Sequence, residues 1–236
     1  MPLSLRDKLR AVDAPKKPSS AAPQAPVFDD CWHGSKLFPL ESVPGAWDIP
    51  MDMVQLMESG MLPERLAPER ILYLDTETTG LSGGAGTVAF LTGLGYLTEN
   101  GFLVHQYLMR DYPEERFLLE NVKAMLPQFD VLCTFNGKSF DLPLLQSRFR
   151  MNRMDASVLE KPHIDLLHLA RRVWKLRLGR CNLGRLEEAI FGQPRVDDLP
   201  GSQVPERYFS FLKTGDFHLL QDVLEHNQQD IASLCH

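Results

Sequence analysis

The order of apolar runs after residue 70 is the strongest constraint on what this chain can fold into. Residues 71–75 (ILYLD) read as a buried strand. Residues 87–97 (TVAFLTGLGYL) and 102–109 (FLVHQYLM) read as two more, joined by a Glu-Asn-Gly turn suited to a hairpin. Helical spacing of Phe117, Leu118, Val122 and Met125 follows, then a fourth strand over 130–135 (DVLCTF). Phe140, Leu144, Leu145 and Phe149 mark the next helix, and His163 and Ile164 a short strand. Helical patterning then runs to the end. Three meandering strands, then alternating helix and strand, then helices, specify an α/β fold. Its sheet is mixed, an antiparallel three-strand meander plus parallel strands, flanked by helices.

The preceding residues are patterned differently. Residues 15–26 (PKKPSSAAPQAP) include four prolines and no large apolar side chain, so they cannot bury enough surface to offset ordering. Residues 1–26 are expected to be a flexible leader. Residues 27–69 carry Phe28, Trp32, Phe38 and Trp47, interrupted by Pro39, Pro44, Pro50, Pro63 and Pro68. They read as an irregular extension wrapping the edge of a domain over 70–236, with Asp52 capping a short helix through Leu56 and Met57 that stops at Gly60.

Composition excludes several classes. Of 236 residues, 44% are hydrophobic and 24% charged, a globular balance unlike collagenous, wholly disordered or disulfide-scaffold chains. The apolar runs are too short to span a bilayer, so no membrane is expected as a partner. The first ten residues lack a signal-peptide apolar core. Cys31, Cys133, Cys181 and Cys235 are widely spaced with no C-x-x-C, as expected of reduced thiols in a cytoplasmic protein.

The candidate chemistry lies in carboxylates. Asp75 and Glu77 stand two apart where the first strand ends, so they share one face. Two such acids repel unless one holds its proton or a hard cation such as Mg²⁺ lies between them. A solvated strand end is the alternative. Asp141 follows the fourth strand in Phe-Asn-Gly-Lys-Ser-Phe-Asp, in the first turn of a helix, beside the end of the first strand. It is either a partner of those acids or a helix-terminal acid favoured by the macrodipole. Asn136 can fix the turn, and Lys138 can meet a phosphate or face water. In the final helix, begun near Asp216, His226 and Asp230 flank the apolar stripe of Leu220, Val223, Leu224, Ile231 and Leu234, which contains Asn227. An i,i+4 ionic pair is the alternative there. Together the four acids and the histidine are what two-metal phosphodiester hydrolysis requires.

The runs LDTETTG, FNGKSFDLPLL and HNQQD resemble, in order, the three motifs of the DEDD-type 3′–5′ exonuclease superfamily. With DLLHLARRVWKLRL, LPGSQVPERYF and LEHNQQDIASL they resemble its YprB-like branch, over roughly residues 30–236. The resemblance implies a ribonuclease-H-like fold and two Mg²⁺ or Mn²⁺ ions held by Asp75, Glu77, Asp141 and Asp230. It makes His226 the fifth catalytic residue and brings Thr78, Thr79 and Gly80 near the terminal nucleotide. His226 departs from the pattern: it is a histidine at the spacing of the tyrosine subgroup, Y-x-x-x-D.

Two other motifs are decoys. Gly84-Ala-Gly86-Thr-Val-Ala89 fits a dinucleotide fingerprint but opens a β-branched run instead of a helix. Gly137-Lys138-Ser139 mimics a P-loop without its leading glycine. Asp165 reads as a helix cap, and His163 and His168 as structural.

The net charge of −6 argues against nucleic acid until the charges are placed. Residues 138–185 hold 11 basic and 4 acidic residues, against 14 and 27 elsewhere. Arg171, Arg172, Lys175, Arg177 and Arg180 surround Trp174, which suits either a single-strand path or a solvated helix over a core tryptophan. The expected activity is 3′–5′ exonuclease cleavage of single-stranded DNA or RNA. A nucleic-acid-binding module of the same fold without turnover is the alternative, and endonucleolytic cleavage of branched DNA a third.

Overall fold

A computed structural model describes residues 30–43, 62–63, 66–80, 86–192, 194–195 and 198–236. The leader, Phe28, Trp47, the helix expected after Asp52, and Gly83 and Gly84 lie outside the described residues.

Six strands form one mixed sheet in the order β1-β4-β3-β2-β5-β6. They are β1 (Trp32–Phe38), β2 (Ile71–Thr78), β3 (Ala89–Thr98), β4 (Gly101–Leu108), β5 (Val131–Thr134) and β6 (His163–Asp165). β2, β3 and β4 are the expected antiparallel meander, while β5 runs parallel to β2, and β6 to β5. The helices are α1 (Glu115–Met125), α2 (Asp141–Met151), α3 (Leu166–Leu178), α4 (Leu183–Leu186), α5 (Val204–Thr214) and α6 (Gln221–Cys235). A π-helical turn, Glu187–Phe191, follows α4, and Asp216 caps a 3₁₀ turn, Phe217–Leu220, leading into α6.

Two differences from the sequence expectation matter. Part of the stretch read as irregular is a regular edge strand: β1 pairs antiparallel with β4 from Trp32↔Leu108 to Phe38↔Phe102. Its residues are only half-buried or exposed, so it lacks the apolar alternation that marks a strand in sequence. β2 also runs three residues past Asp75, which places Asp75 and Glu77 within paired strand.

Alternation along β2 divides the interior in two. Leu72 and Leu74 join the cluster that includes Leu118, Val122, Leu145, Phe149 and Tyr208, from α1, α2 and α5. Ile71 and Tyr73 join the opposite cluster with Val131, Cys133, Ile164, Ile231 and Leu234. Asp75 and Glu77 continue the Tyr73 face, toward α6, and Thr76 continues the Leu74 face, toward α2.

The approach of α6 depends on two glycines of β3. Gly95 pairs with Tyr73, and Gly93 with Asp75. A Cβ on Gly93 would lie 2.0 Å from Cδ1 of Ile231 and 2.3 Å from Oδ1 of Asn227. One on Gly95 would lie 2.5 Å from Cγ2 of Ile231. Bare backbone here lets α6 lie directly on the strands. Gly93→Ala is therefore expected to cost about 1–3 kcal/mol through overpacking. That is a fall of several degrees in Tm by calorimetry, with fast amide exchange confined to α6.

Candidate active site

Three segments bring the four acids together. β2 supplies Asp75 and Glu77, and its pairing with β3 shifts register between Glu77 and Thr78. Such a bulge bends the strand and re-aims the side chains beside it. Beyond it the chain is closed by local bonds. The Thr78 hydroxyl donates to the Gly80 carbonyl at 2.8 Å, and the Val88 N–H donates to Oγ1 of Thr79 at 3.0 Å.

Asp141 is the first residue of α2 and is buried. Oγ1 of Thr76 donates to its Oδ1 at 2.5 Å, across the end of β2. The preceding turn is set by Asn136, whose φ of 69° is one that asparagine tolerates better than most residues. Asp165 clamps this turn, accepting the Asn136 N–H at 2.8 Å and the Lys138 N–H at 3.0 Å. It also caps α3 by accepting the Leu167 N–H at 3.1 Å. Its capping role was legible; the clamp on Asn136 and Lys138 was not.

α6 supplies His226, Asn227 and Asp230. Asn227 is fully buried, and its Nδ2 donates to Oδ2 of Asp75 at 2.9 Å. Gln106 of β4 donates in turn to Oδ1 of Asn227 at 2.8 Å, which leaves the Asn227 amide one orientation. Nε2 of His226 lies 4.0 Å from Oε1 of Glu77 and 3.7 Å from Oδ2 of Asp230. The tyrosine-type spacing therefore does place the imidazole among the acids.

Three charged residues that sequence reasoning missed complete the cluster. The Arg195 guanidinium reaches Asp230 at 2.6 Å, Glu187 at 2.5 Å and Asp198 at 2.8 Å. The second oxygen of Asp198 lies 2.6 Å from Nδ1 of His226. Neither Arg195 nor Asp198 belongs to a periodic element. The one available signal was Asn227, an amide inside an apolar stripe.

The electrostatics are those of crowded, buried acids. Burial pushes Asp75 well above the usual carboxylate range, and Asp230, Glu77 and Asp141 push it further against the Asn227 hydrogen bond. Burial raises Glu77 to about 7, with His226 opposing and Asp230 and Asp141 reinforcing the shift. Burial raises Asp141 to about 6 despite its bond to Thr76. Asp230 is raised by burial, against His226 and Arg195. Burial would lower His226, but Asp230, Asp198 and Glu77 outweigh it and raise the imidazole.

All-oxygen donors in mutual repulsion suit a hard divalent cation. Among the described residues, no three His, Cys, Asp or Glu side chains are already drawn together around one point. The side-chain contacts explain this: Asn227 holds Asp75, Thr76 holds Asp141, and Arg195 holds Asp230.

The basic residues form a separate surface. Arg171, Arg172, Lys175, Arg177 and Arg180 are exposed on or just after α3, while Trp174 packs on Leu167, Ala170, Cys181 and Leu186. Lys138 is half-buried beside the Asn136 turn. A groove of about 910 Å³ lies elsewhere, lined by Trp32, Lys36, Gln228 and His236 among others, and none of the four acids lines it. All four cysteines are free and buried. No helix among the described residues is long and apolar enough to cross a membrane.

Glu77 provides a test of this crowding. Its pKa rises on folding from 4.5 to about 7, so ionised Glu77 costs stability above pH 7, and the cost vanishes as pH falls toward 4.5. Glu77→Gln is therefore expected to stabilise the metal-free protein at about pH 8, by an amount on the order of 3 kcal/mol, and hardly at about pH 5. Denaturant unfolding at the two pH values measures the difference.

Residues 72–236 match the RNase_H_2 family of the RNase_H superfamily. The chain is 40% identical over 167 residues to the uncharacterized protein YprB of Bacillus subtilis (strain 168), covering 70% of this chain and 40% of that protein. It is 28% identical over 179 residues to a DNA polymerase of Pyrococcus glycovorans, covering 63% of this chain and 23% of the polymerase. Among solved structures, the family B DNA polymerase of Pyrobaculum calidifontis superposes with a TM-score of 0.56 at 16% identity, over 73% of this chain and 24% of that one. The chain thus spans well under half the length of these relatives. With its acids gathered at the end of β2, and matched from residue 72 to the last residue, this chain belongs to the RNase_H superfamily.

Proposed function

We propose that the chain is a metal-dependent 3′–5′ exonuclease that hydrolyses single-stranded DNA or RNA. Membership of the superfamily supports a nuclease-type function. The observation that carries the proposal is the convergence of Asp75, Glu77, Asp141 and Asp230, from three segments, with burial raising the pKa of each and repulsion from the other acids adding to the rise at Asp75 and Glu77. The DNA polymerases with related sequence support nucleic acid as the substrate.

Asp75, Glu77, Asp141 and Asp230 would hold two Mg²⁺ or Mn²⁺ ions. When bound, such ions polarise the phosphodiester and lower the pKa of water. His226 accepts a proton from the attacking water. The water oxygen bonds to phosphorus, the bond from phosphorus to the 3′ oxygen breaks, and that oxygen takes a proton from solvent. Thr78, Thr79 and Gly80 border the terminal nucleotide, and Asn136 and Lys138 lie along its backbone. Arg171, Arg172, Lys175 and Arg177 track the phosphates upstream.

Asp75→Ala is expected to cut Mg²⁺- or Mn²⁺-dependent release of mononucleotides from a labelled single strand by about 10³-fold or more. Wild-type protein that releases none from DNA or RNA with either metal would overturn the proposal. Cleavage of a circular strand would mark an endonuclease instead. The Arg195–Asp230 ion pair favours a second reading, a binding module without turnover, in which the cation site stays closed. Tight, salt-dependent binding without cleavage would support it. In either case, changing Arg171, Arg172 and Lys175 together to alanine is expected to weaken single-strand binding. The slope of log K against log salt should become shallower by about 0.7 for every phosphate no longer neutralised.

A further inference from the structure

The contact between His226 and Asp198 fixes more than the position of a ring. Nδ1 of His226 lies 2.6 Å from Oδ1 of Asp198. The other oxygen of Asp198 accepts from the Arg195 guanidinium at 2.8 Å. Arg195 is held in turn by both oxygens of Glu187 and by Asp230. An ionised carboxylate only accepts hydrogen bonds, so its neighbour must carry a proton on Nδ1. In neutral His226, Nε2 is then the bare, basic nitrogen. It lies 4.0 Å from Glu77 and 3.7 Å from Asp230, beyond hydrogen-bond reach of both but on the side where the acids gather.

We infer that Asp198 is a positioning residue: it selects the Nδ1–H tautomer of His226 and aims Nε2 at the space between Glu77 and Asp230. Arg195 braces the arrangement, joining Asp198 to Asp230 through one guanidinium. This rests on the proposal that His226 takes the proton of the attacking water. It also shows how a histidine at a tyrosine's spacing is made useful. One helical turn sets its distance from Asp230, and Asp198, 28 residues away in sequence, sets the direction of its lone pair.

Asp198→Asn separates tautomer selection from simple packing. Arg195 only donates, so it keeps the oxygen of the introduced amide and turns the amide NH₂ toward Nδ1. Nδ1 must then accept, which moves the ring proton to Nε2. Two measurements test this. In ¹⁵N spectra at alkaline pH, with the His226 signals assigned by their loss in His226→Ala, wild-type His226 is expected as the Nδ1–H tautomer and Asp198→Asn as Nε2–H. In metal-loaded protein, Asp198→Asn is expected to lower kcat by about 10²-fold or more with KM nearly unchanged. It should cost nothing further in a His226→Ala background. An Nε2–H tautomer in the wild type overturns the inference. So does an Asp198→Asn loss of kcat that persists without His226, since that is what a purely structural role would give. If the wild type proves inactive on every substrate, the nuclease proposal fails, and the tautomer measured by ¹⁵N still decides the role of Asp198.

Discussion

Everything at this site depends on how closely α6 lies on the sheet. The helix can reach Asp75 only because β3 presents no side chain at residues 93 and 95. Ile231 fills the space a Cβ would occupy, and Asn227 comes down beside it to meet both Gln106 and Asp75. Burial of side chains such as Val223, Ile231 and Leu234 holds the helix there, each contributing about 1.5–3 kcal/mol. The same apolar contact sets the positions of Asp230 and His226. Packing and chemistry are thus two faces of one helix.

The second constraint is charge. Four acids are concentrated at one sheet end, and the fold does not neutralise them fully. Thr76, Asn227, Arg195 and His226 each relieve part of the repulsion, yet Asp75, Glu77, Asp141 and Asp230 all stay above their ordinary pKa. A site built only for stability would replace some of these carboxylates with amides. What remains is an unmet demand for positive charge, the condition under which a divalent cation binds with most gain.

The fold was largely legible because its strands are short apolar runs bounded by turn residues, and its helices after β4 keep a clear period. β1 was missed because an edge strand with little burial carries no alternation. The pairing of Asp75 with Glu77 and of His226 with Asp230 was legible for a geometric reason, whereas Asp141 was placed by the expected order of the strands. A two-residue spacing on a strand and a four-residue spacing on a helix each fix a shared side, whatever the rest of the chain does. Arg195 and Asp198 follow no such rule. They come from a stretch without period, and they reach Asp230 and His226 only through the tertiary fold, so no local pattern announced them as part of the cluster. The charge segregation left two readings of α3 open, and the exposure of its basic residues fits both, while Trp174 beneath them belongs to a small core.

The bond between Asn227 and Asp75 joins residues 152 positions apart. Contacts of such separation are the slowest to form, because a long loop must close before they contribute anything. The β3–β4 hairpin and the α1–β5–α2 unit can assemble from near neighbours, whereas the acid cluster exists only once α6 has docked. A chain that has built its sheet but not yet closed this loop carries Asp75 and Glu77 without Asp230, His226 or Asn227. Partly folded molecules of that kind lack the complete cluster, because its last members arrive only with the docking of α6.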